Sequence, residues 1–325
     1  MRGTQLPWGW AAWSVGGNRC AQSNTTAVPE IMLMDLSLLG AAITPASQAA
    51  LAPALGLGAV VGLILALAGA GGGILAVPLL VFGLHFSIVQ AAPVGLIAVG
   101  AASALGAMLG LRDGLVRYRA AALIGVTGML LAPLGVHLAQ RLPNAPLMVG
   151  FAFMLAWVAW RMFSQARQAL LPGACAIARQ SPRSQLPCVL NPSEGRLVWT
   201  LPCAWALAAT GALSGLLSGL LGVGGGFVIV PSLGQYTNLA TRSIFATSLA
   251  VIALVSLGGV SAAAWQGGIS WPVALPFAMG ALLAMLAGRL IGARLAGPRL
   301  QQGFALVSAV VSLLLLSRGL GWLSD

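Results

Sequence analysis

The chain has 325 residues, of which 59% are apolar and only 6% charged, against about 25% charged in an average soluble domain. So few charges cannot cover a water-soluble globule of this length, which excludes an ordinary cytosolic enzyme, a disordered regulator and a nucleic-acid-binding domain. All 16 basic residues are Arg, so lysine-dependent chemistry such as the Walker A phosphate loop or a Schiff base is excluded as well.

Residues 1–47 form an atypical extension. Trp8, Trp10 and Trp13 sit in a short polar and apolar mixture without a signal-peptide layout. Met32 and Met34 lie just before the hydrophobic body, and the expectation is that translation starts near Met34. Apolar runs then follow at about 51–68, 73–84, 88–110, 120–138, 145–163, 200–221, 227–236, 243–265, 271–293 and 301–320. Most meet the roughly 20-residue requirement of a spanning helix. The runs at 73–84 and 227–236 are too short, and each follows a glycine cluster. The fold class read from this pattern is an all-α polytopic membrane protein with about eight to ten membrane segments, two of them glycine-broken helices.

The one long polar interruption is 164–199, with Arg167, Arg179, Arg183, Arg196, Glu194 and four prolines. It reads as an irregular linker between a first transmembrane repeat at 48–163 and a second at 200–325. Gly62–Pro78 (GLILALAGAGGGILAVP) set over Gly215–Pro231 (GLLSGLLGVGGGFVIVP) gives nine identities in 17 positions at a constant offset of 153. Three are Leu or Val matches, which are common in apolar sequence. The matched glycines and the proline are not, and they point to duplication. Arg112, Arg117 and Arg119 in the first half border one loop, whereas Arg289, Arg294 and Arg299 in the second border the next loop along. This exchange of sides is expected of inverted repeats, with the Arg-rich face cytoplasmic. Arg141 and Arg318 fall on the other side. Trp157, Trp160, Trp199, Trp205, Trp265, Trp271 and Trp322 fall near span ends, where their rings suit the headgroup level.

The five acids, Glu30, Asp35, Asp113, Glu194 and Asp325, all lie outside the expected spans, so no carboxylate is placed for a proton relay. Cys20, Cys175, Cys188 and Cys203 read as free thiols, and with His85 and His137 as the two histidines no metal site and no cofactor are expected.

The sharpest motifs are Gly69-x-Gly71-Gly72-Gly73-x4-Pro78 and Gly222-x-Gly224-Gly225-Gly226-x4-Pro231. Each glycine costs a helix about 1 kcal/mol, and a broken backbone is tolerated in a membrane only where it faces protein or water. The helix restarting after a break presents N–H groups and a positive dipole end, which suits an anion without any charged side chain. A proline in the restarted helix frees a further carbonyl. Small residues at four-residue spacing elsewhere, such as Gly58/Gly62 and Gly211/Gly215/Gly219, read as helix-packing surfaces. Arg289 and Arg294, near a helix end, read as snorkelling side chains.

With the segment Ala246-Thr247-Ser248-Leu249 and the later Gly268, these motifs resemble the sulfite exporter TauE/SafE family of membrane permeases over residues 51–320. The resemblance implies a multi-pass permease of the bacterial inner membrane that moves sulfite, sulfonates or related small organic anions. The first half has Pro93-Val94 where the second has Thr247-Ser248, so one half alone supplies that hydroxyl pair. The expectation is a secondary transporter working by alternating access, with Gly71, Gly72, Gly73, Pro78, Gly224, Gly225, Gly226, Pro231, Thr247 and Ser248 binding substrate or gating. Its partners are the lipid bilayer and a small anion, with no nucleic acid, and a homo-oligomer is compatible with the layout. The alternative is a structural or assembly membrane protein. An intramembrane serine protease built on Ser214 lacks a base, since there is no Lys and both histidines lie in the other half.

Overall fold

The computed structural model describes residues 45–170, 188, 190–191, 196–197, 200–237, 241–295 and 298–321. The N-terminal extension with its Met34 start, and most of the linker, lie outside them. The described chain is helical apart from two two-residue strands in the linker. The elements are α1 (Pro45–Ala68), a 3-10 segment (Gly69–Leu75), α2 (Ala76–Gly83), α3 (Ile88–Arg112), α4 (Tyr118–Arg141), α5 (Asn144–Leu170), β1 (Leu190–Asn191), β2 (Arg196–Leu197), α6 (Leu201–Leu221), α7 (Gly226–Tyr236), α8 (Thr241–Trp265), α9 (Trp271–Leu295) and α10 (Pro298–Gly319).

Seven of these helices, α3 to α6 and α8 to α10, are long and apolar enough to cross a bilayer. Local sequence sets several ends. Ser87 and Gln90 form a capping box at the start of α3, and Thr200 accepts from the Cys203 N–H at the start of α6. Outward faces are apolar, with Leu130, Leu290 and Phe153 exposed, as lipid contact requires. Trp160, Trp205, Trp265 and Trp271 are also exposed near helix ends, where a headgroup layer would meet them.

Glycines fix the helix packing by removing the side chain at close backbone approach. A methyl group at Gly211 would collide with the Ile124 carbonyl oxygen, and one at Gly215 with that of Gly128. Gly219 meets Ala132 in the same way, so α4 and α6 run parallel in close contact. On the other side Gly58 meets Phe277 and Gly62 meets Ala281, so α1 and α9 are also parallel. These two sets coincide when one half is laid over the other at the offset of 153: Gly58 with Phe277 becomes Gly211 with Ile124, and Gly62 with Ala281 becomes Gly215 with Gly128.

At the centre α3 and α8 cross antiparallel. Gly106 meets Leu249 and Gly259 meets Leu96, again a pair related by the same offset with the halves exchanged. The midpoints of these contacts place the crossing near Ala101 and Leu254. The pairs Gly125 with Leu254 and Gly258 with Met129 make α4 parallel to α8. Hence α1, α3 and α9 run one way, and α4, α6 and α8 run the other. The helices α5 and α10 lie antiparallel, tied by the Ser312 hydroxyl donating to the Ala152 carbonyl at 2.7 Å. Since α1 and α3 share a direction, the short segment between them returns the chain, and α7 does the same between α6 and α8.

The free-thiol expectation fails for one pair. Cys188 of the linker and Cys203 of α6 form a disulfide, with their α-carbons 5.2 Å apart. A separation of 15 residues, across chain that is in large part polar, hid that proximity from the sequence.

Candidate functional site

The two matched glycine motifs do not fold alike. In the second, Gly222, Gly224 and Gly225 have φ of 73°, 77° and 73°, a region that side chains rarely adopt. The four residues 222–225 break the helix: Gly222 caps the end of α6, and Gly225 stands at the N-cap of α7, where no side chain caps it. In the first, Gly71, Gly72 and Gly73 lie in the 3-10 segment and run directly into α2. Its glycines serve close approach instead: a methyl group at Gly72 would stand 2.5 Å from the Leu65 amide nitrogen. The prolines differ in the same sense. Pro78 falls in the first turn of α2, where its missing N–H has no intrahelical acceptor to lose, whereas Pro231 is interior to α7.

The breaks meet each other. A methyl group at Gly73 would stand 3.1 Å from the Val223 carbonyl oxygen, and one at Gly95 would stand 3.1 Å from that of Gly222. Gly222 itself presses on the Ala92 backbone of α3. Gly224 faces Val99 of α3 together with Ile252 and Ser256 of α8. Each break therefore sits against the α3–α8 crossing, and the second is braced by Ser214 of α6, whose hydroxyl donates to the Gly225 carbonyl at 3.1 Å. That bond gives Ser214 a structural partner.

The hydroxyls divide into two groups. Thr247 Oγ1 accepts from the Arg117 amide at 3.1 Å and so pins the α3–α4 loop onto α8. Ser248 donates to the Phe245 carbonyl of its own helix at 2.8 Å. Both side chains are fully buried, and neither reaches the breaks through these bonds. Ser103 of α3 and Ser256 of α8 are buried with no hydrogen-bond partner for either hydroxyl. The sequence reading passed over them because serine is ordinary in a membrane helix. Their spacing of 153, the same offset as the motifs, was the available signal.

Charge gathers at one end. There Arg289 of α9 pairs with Asp113, which caps α3, and also reaches the Gly106 carbonyl at 3.5 Å. Arg112, Arg117, Arg119, Arg161 and Arg167 border the same end, and Arg141 and Arg318 lie at the other. Arg289 is thus held by a carboxylate and not merely extended toward water. Asp113 is the one acid among the described residues. No group of three or more His, Cys, Asp or Glu that could hold a metal ion occurs among the described residues. A cavity of about 470 Å³ runs along α5, α6 and α7, lined by apolar residues including Met154, Leu217, Phe227 and Pro231.

Comparisons with known proteins agree on a transporter. The family model described as sulfite exporter TauE/SafE matches residues 54–315. Two relatives, each described as "Probable membrane transporter protein", come from Xylella fastidiosa strain 9a5c and strain Temecula1 / ATCC 700964. Each is 26% identical over 271 residues, covering 81% of this chain and 94% of the relative. No solved structure matches the chain.

Proposed function

This chain belongs to the sulfite exporter TauE/SafE family, and on that premise we propose that it is a secondary transporter of small anions, sulfite and organosulfonates foremost. Membership makes it a membrane transporter and not an enzyme. The relatives are bacterial, and the bacterial inner membrane is the proposed location. The two halves, 48–163 and 200–325, are taken as inverted repeats joined by the linker 164–199. In support, offset-related helices run in opposite directions and exchange the same contacts. The positive-inside rule then assigns the Arg-rich end to the cytoplasm.

One observation carries the reading: two glycine-rich breaks, one from each half, abut at the crossing of α3 and α8. In inverted-repeat transporters such paired breaks hold substrate near the midplane. Here the start of α7 offers backbone N–H groups and a positive dipole end without an acid nearby, a setting that favours an anion. The breaks touch, so this conformation is closed at that point. Substrate enters when the α1–α2 hairpin and the α6–α7 hairpin separate, first toward one side and then toward the other. Gly71, Gly72, Gly73, Gly224, Gly225 and Gly226 form the gate, and Pro78 and Pro231 shape the helices that leave it. Thr247 and Ser248 act indirectly, by holding α8 and the α3–α4 loop. No described carboxylate lies within a span, so the membrane potential and the anion gradient drive transport, without a proton relay.

The test is flux of radiolabelled sulfite and methanesulfonate in proteoliposomes. Saturable flux that follows an imposed potential and ignores an imposed pH gradient is expected. Absence of saturable flux for both anions would leave the structural or assembly role standing instead.

A further inference from the structure

Among the described residues four buried serine hydroxyls lack a hydrogen-bond partner, those of Ser103, Ser218, Ser256 and Ser308, and two of them, Ser103 and Ser256, lie on the central helices α3 and α8. A serine inside a helix ordinarily bonds back to a carbonyl three or four residues earlier, as Ser248 and Ser261 do here. Ser103 and Ser256 do not, although their exposures are 0% and 2%. A buried hydroxyl without a partner is costly to keep. Of the four such serines, Ser103 and Ser256 alone are related by the offset of 153 that relates the glycine motifs; Ser218 and Ser308 have Leu65 and Leu155 as counterparts.

Their placement is specific. Ser103 lies two residues past the crossing point on α3, and Ser256 two residues past it on α8. Because the helices are antiparallel, the two stand on opposite sides of the crossing, about 6 Å apart along the axis at ~1.5 Å rise per residue. Ser256 is flanked by bare backbone from two other elements. A methyl group at Gly100 would stand 3.2 Å from its hydroxyl oxygen, and one at Gly224 would stand 3.7 Å away. Gly224 belongs to the second break, and its offset counterpart, Gly71, belongs to the first.

We propose that Ser103 and Ser256 are the substrate's polar anchors, each donating its hydroxyl to one oxygen of a single small oxyanion held at the α3–α8 crossing. This rests on the anion-transport reading above and adds its contact residues and a requirement on the substrate. Charge-assisted hydroxyl hydrogen bonds measure about 2.5–2.7 Å, so an axial separation of about 6 Å suits two neighbouring oxygens of one sulfite or sulfonate group. The site selects anions with at least two acceptor oxygens on one centre. In the closed conformation the hydroxyls wait unpaired, and separation of the breaks admits the anion between them.

The experiment uses the full chain with Ser103→Ala, Ser256→Ala and the double variant. Sulfite flux in proteoliposomes and thermal unfolding in detergent, with and without sulfite, are measured for each. The expected result is a KM raised about tenfold by each single substitution and further by the pair. Thermal stability without sulfite should be unchanged or raised, because deleting an unpaired buried hydroxyl removes a cost. The stabilisation that sulfite gives the wild type should shrink in the variants. Wild-type flux with an unaltered KM in both single variants overturns the assignment while leaving anion transport intact. A loss of stability by several degrees without sulfite also overturns it, since the hydroxyls would then be structural. If the wild type shows neither sulfite flux nor a sulfite-dependent shift, the anion reading fails and the anchors fail with it.

Discussion

The contact between the breaks can be probed at Gly73. A methyl group there would lie 2.9 Å and 3.3 Å from the two γ-carbons of Val99, besides 3.1 Å from the Val223 carbonyl oxygen. Val99 is fully buried, and a β-branched side chain in a helix has essentially one χ1 rotamer, so it cannot swing aside. Gly73→Ala is therefore an overpacking change costing about 1–3 kcal/mol. Val99→Ala alone loses packing contacts, which in a membrane protein are a main source of helix association. Together they compensate, because removing both γ-carbons makes room for the new methyl. The residual approach to the Val223 oxygen calls for a shift of a few tenths of an ångström. The coupling in a double-mutant cycle should be about 1–2 kcal/mol in favour of the pair, read as midpoint shifts of a few degrees in detergent. Flux should follow the same order: reduced in Gly73→Ala and partly recovered in the double variant. Midpoints additive to within about 0.5 kcal/mol would refute the claim that Gly73 and Val99 are in forced contact at the break.

Three further outcomes test the framework around the breaks. Gly62→Leu and Gly215→Leu should each abolish a monodisperse folded peak in size-exclusion chromatography, since a β-carbon at either would collide with a facing carbonyl oxygen, that of Ala281 or Gly128; Gly56→Ala and Gly150→Ala, with open space around them, should retain it. Asp113→Asn should change stability by no more than about 1 kcal/mol, because Arg289 and Asp113 are 37% and 51% exposed and such pairs contribute little; a midpoint drop of many degrees would contradict this. Alkylation of the denatured chain without reductant should leave Cys188 and Cys203 unmodified in peptide mass spectra, and labelling of both would refute their pairing.

Helix positions were largely written in the hydrophobic runs. The run 227–236 became α7 at Gly226–Tyr236, and 243–265 became α8 at Thr241–Trp265. Apolar length and glycine punctuation are local properties, so they can be read locally. The form of each break could not. Five contiguous positions, Gly-x-Gly-Gly-Gly, are common to both motifs, yet one yields three left-handed glycines and the other a 3-10 turn. The choice depends on what each packs against: Ser214 holds the Gly225 carbonyl in the second, whereas the α1 backbone presses on Gly72 in the first. Hydroxyls show the same limit. Thr247 and Ser248 looked available in sequence, but the partner of Thr247 lies 130 residues away in the α3–α4 loop. Ser103 and Ser256 looked ordinary because the absence of a partner is a property of the folded chain.

The exchange of contacts between the halves also bears on how such a protein would move. The broken helix of the first half, α1, lies on α9 of the second, and the broken helix of the second, α6, lies on α4 of the first. Both interfaces are backbone-to-backbone at glycines, which leaves little room to slide. On the alternating-access reading the mobile bodies are therefore not the two sequence halves. Each body is a composite, α1 with α9 or α6 with α4, and the linker 164–199 does not mark the plane between them. The surface that parts is then α3 against α8, where side chains meet, together with the contact between the two breaks, which is through backbone but looser, 3.1 Å from a methyl group at Gly73 to the Val223 carbonyl oxygen. Separation there exposes bare glycine backbone together with Ser103 and Ser256, while the tight glycine interfaces stay closed. On the transport reading, the chain's poverty in charge follows from this arrangement. A site opened by parting two apolar bodies would hold an uncompensated Arg or Asp buried in every closed state, whereas dipoles and hydroxyls cost far less to close over.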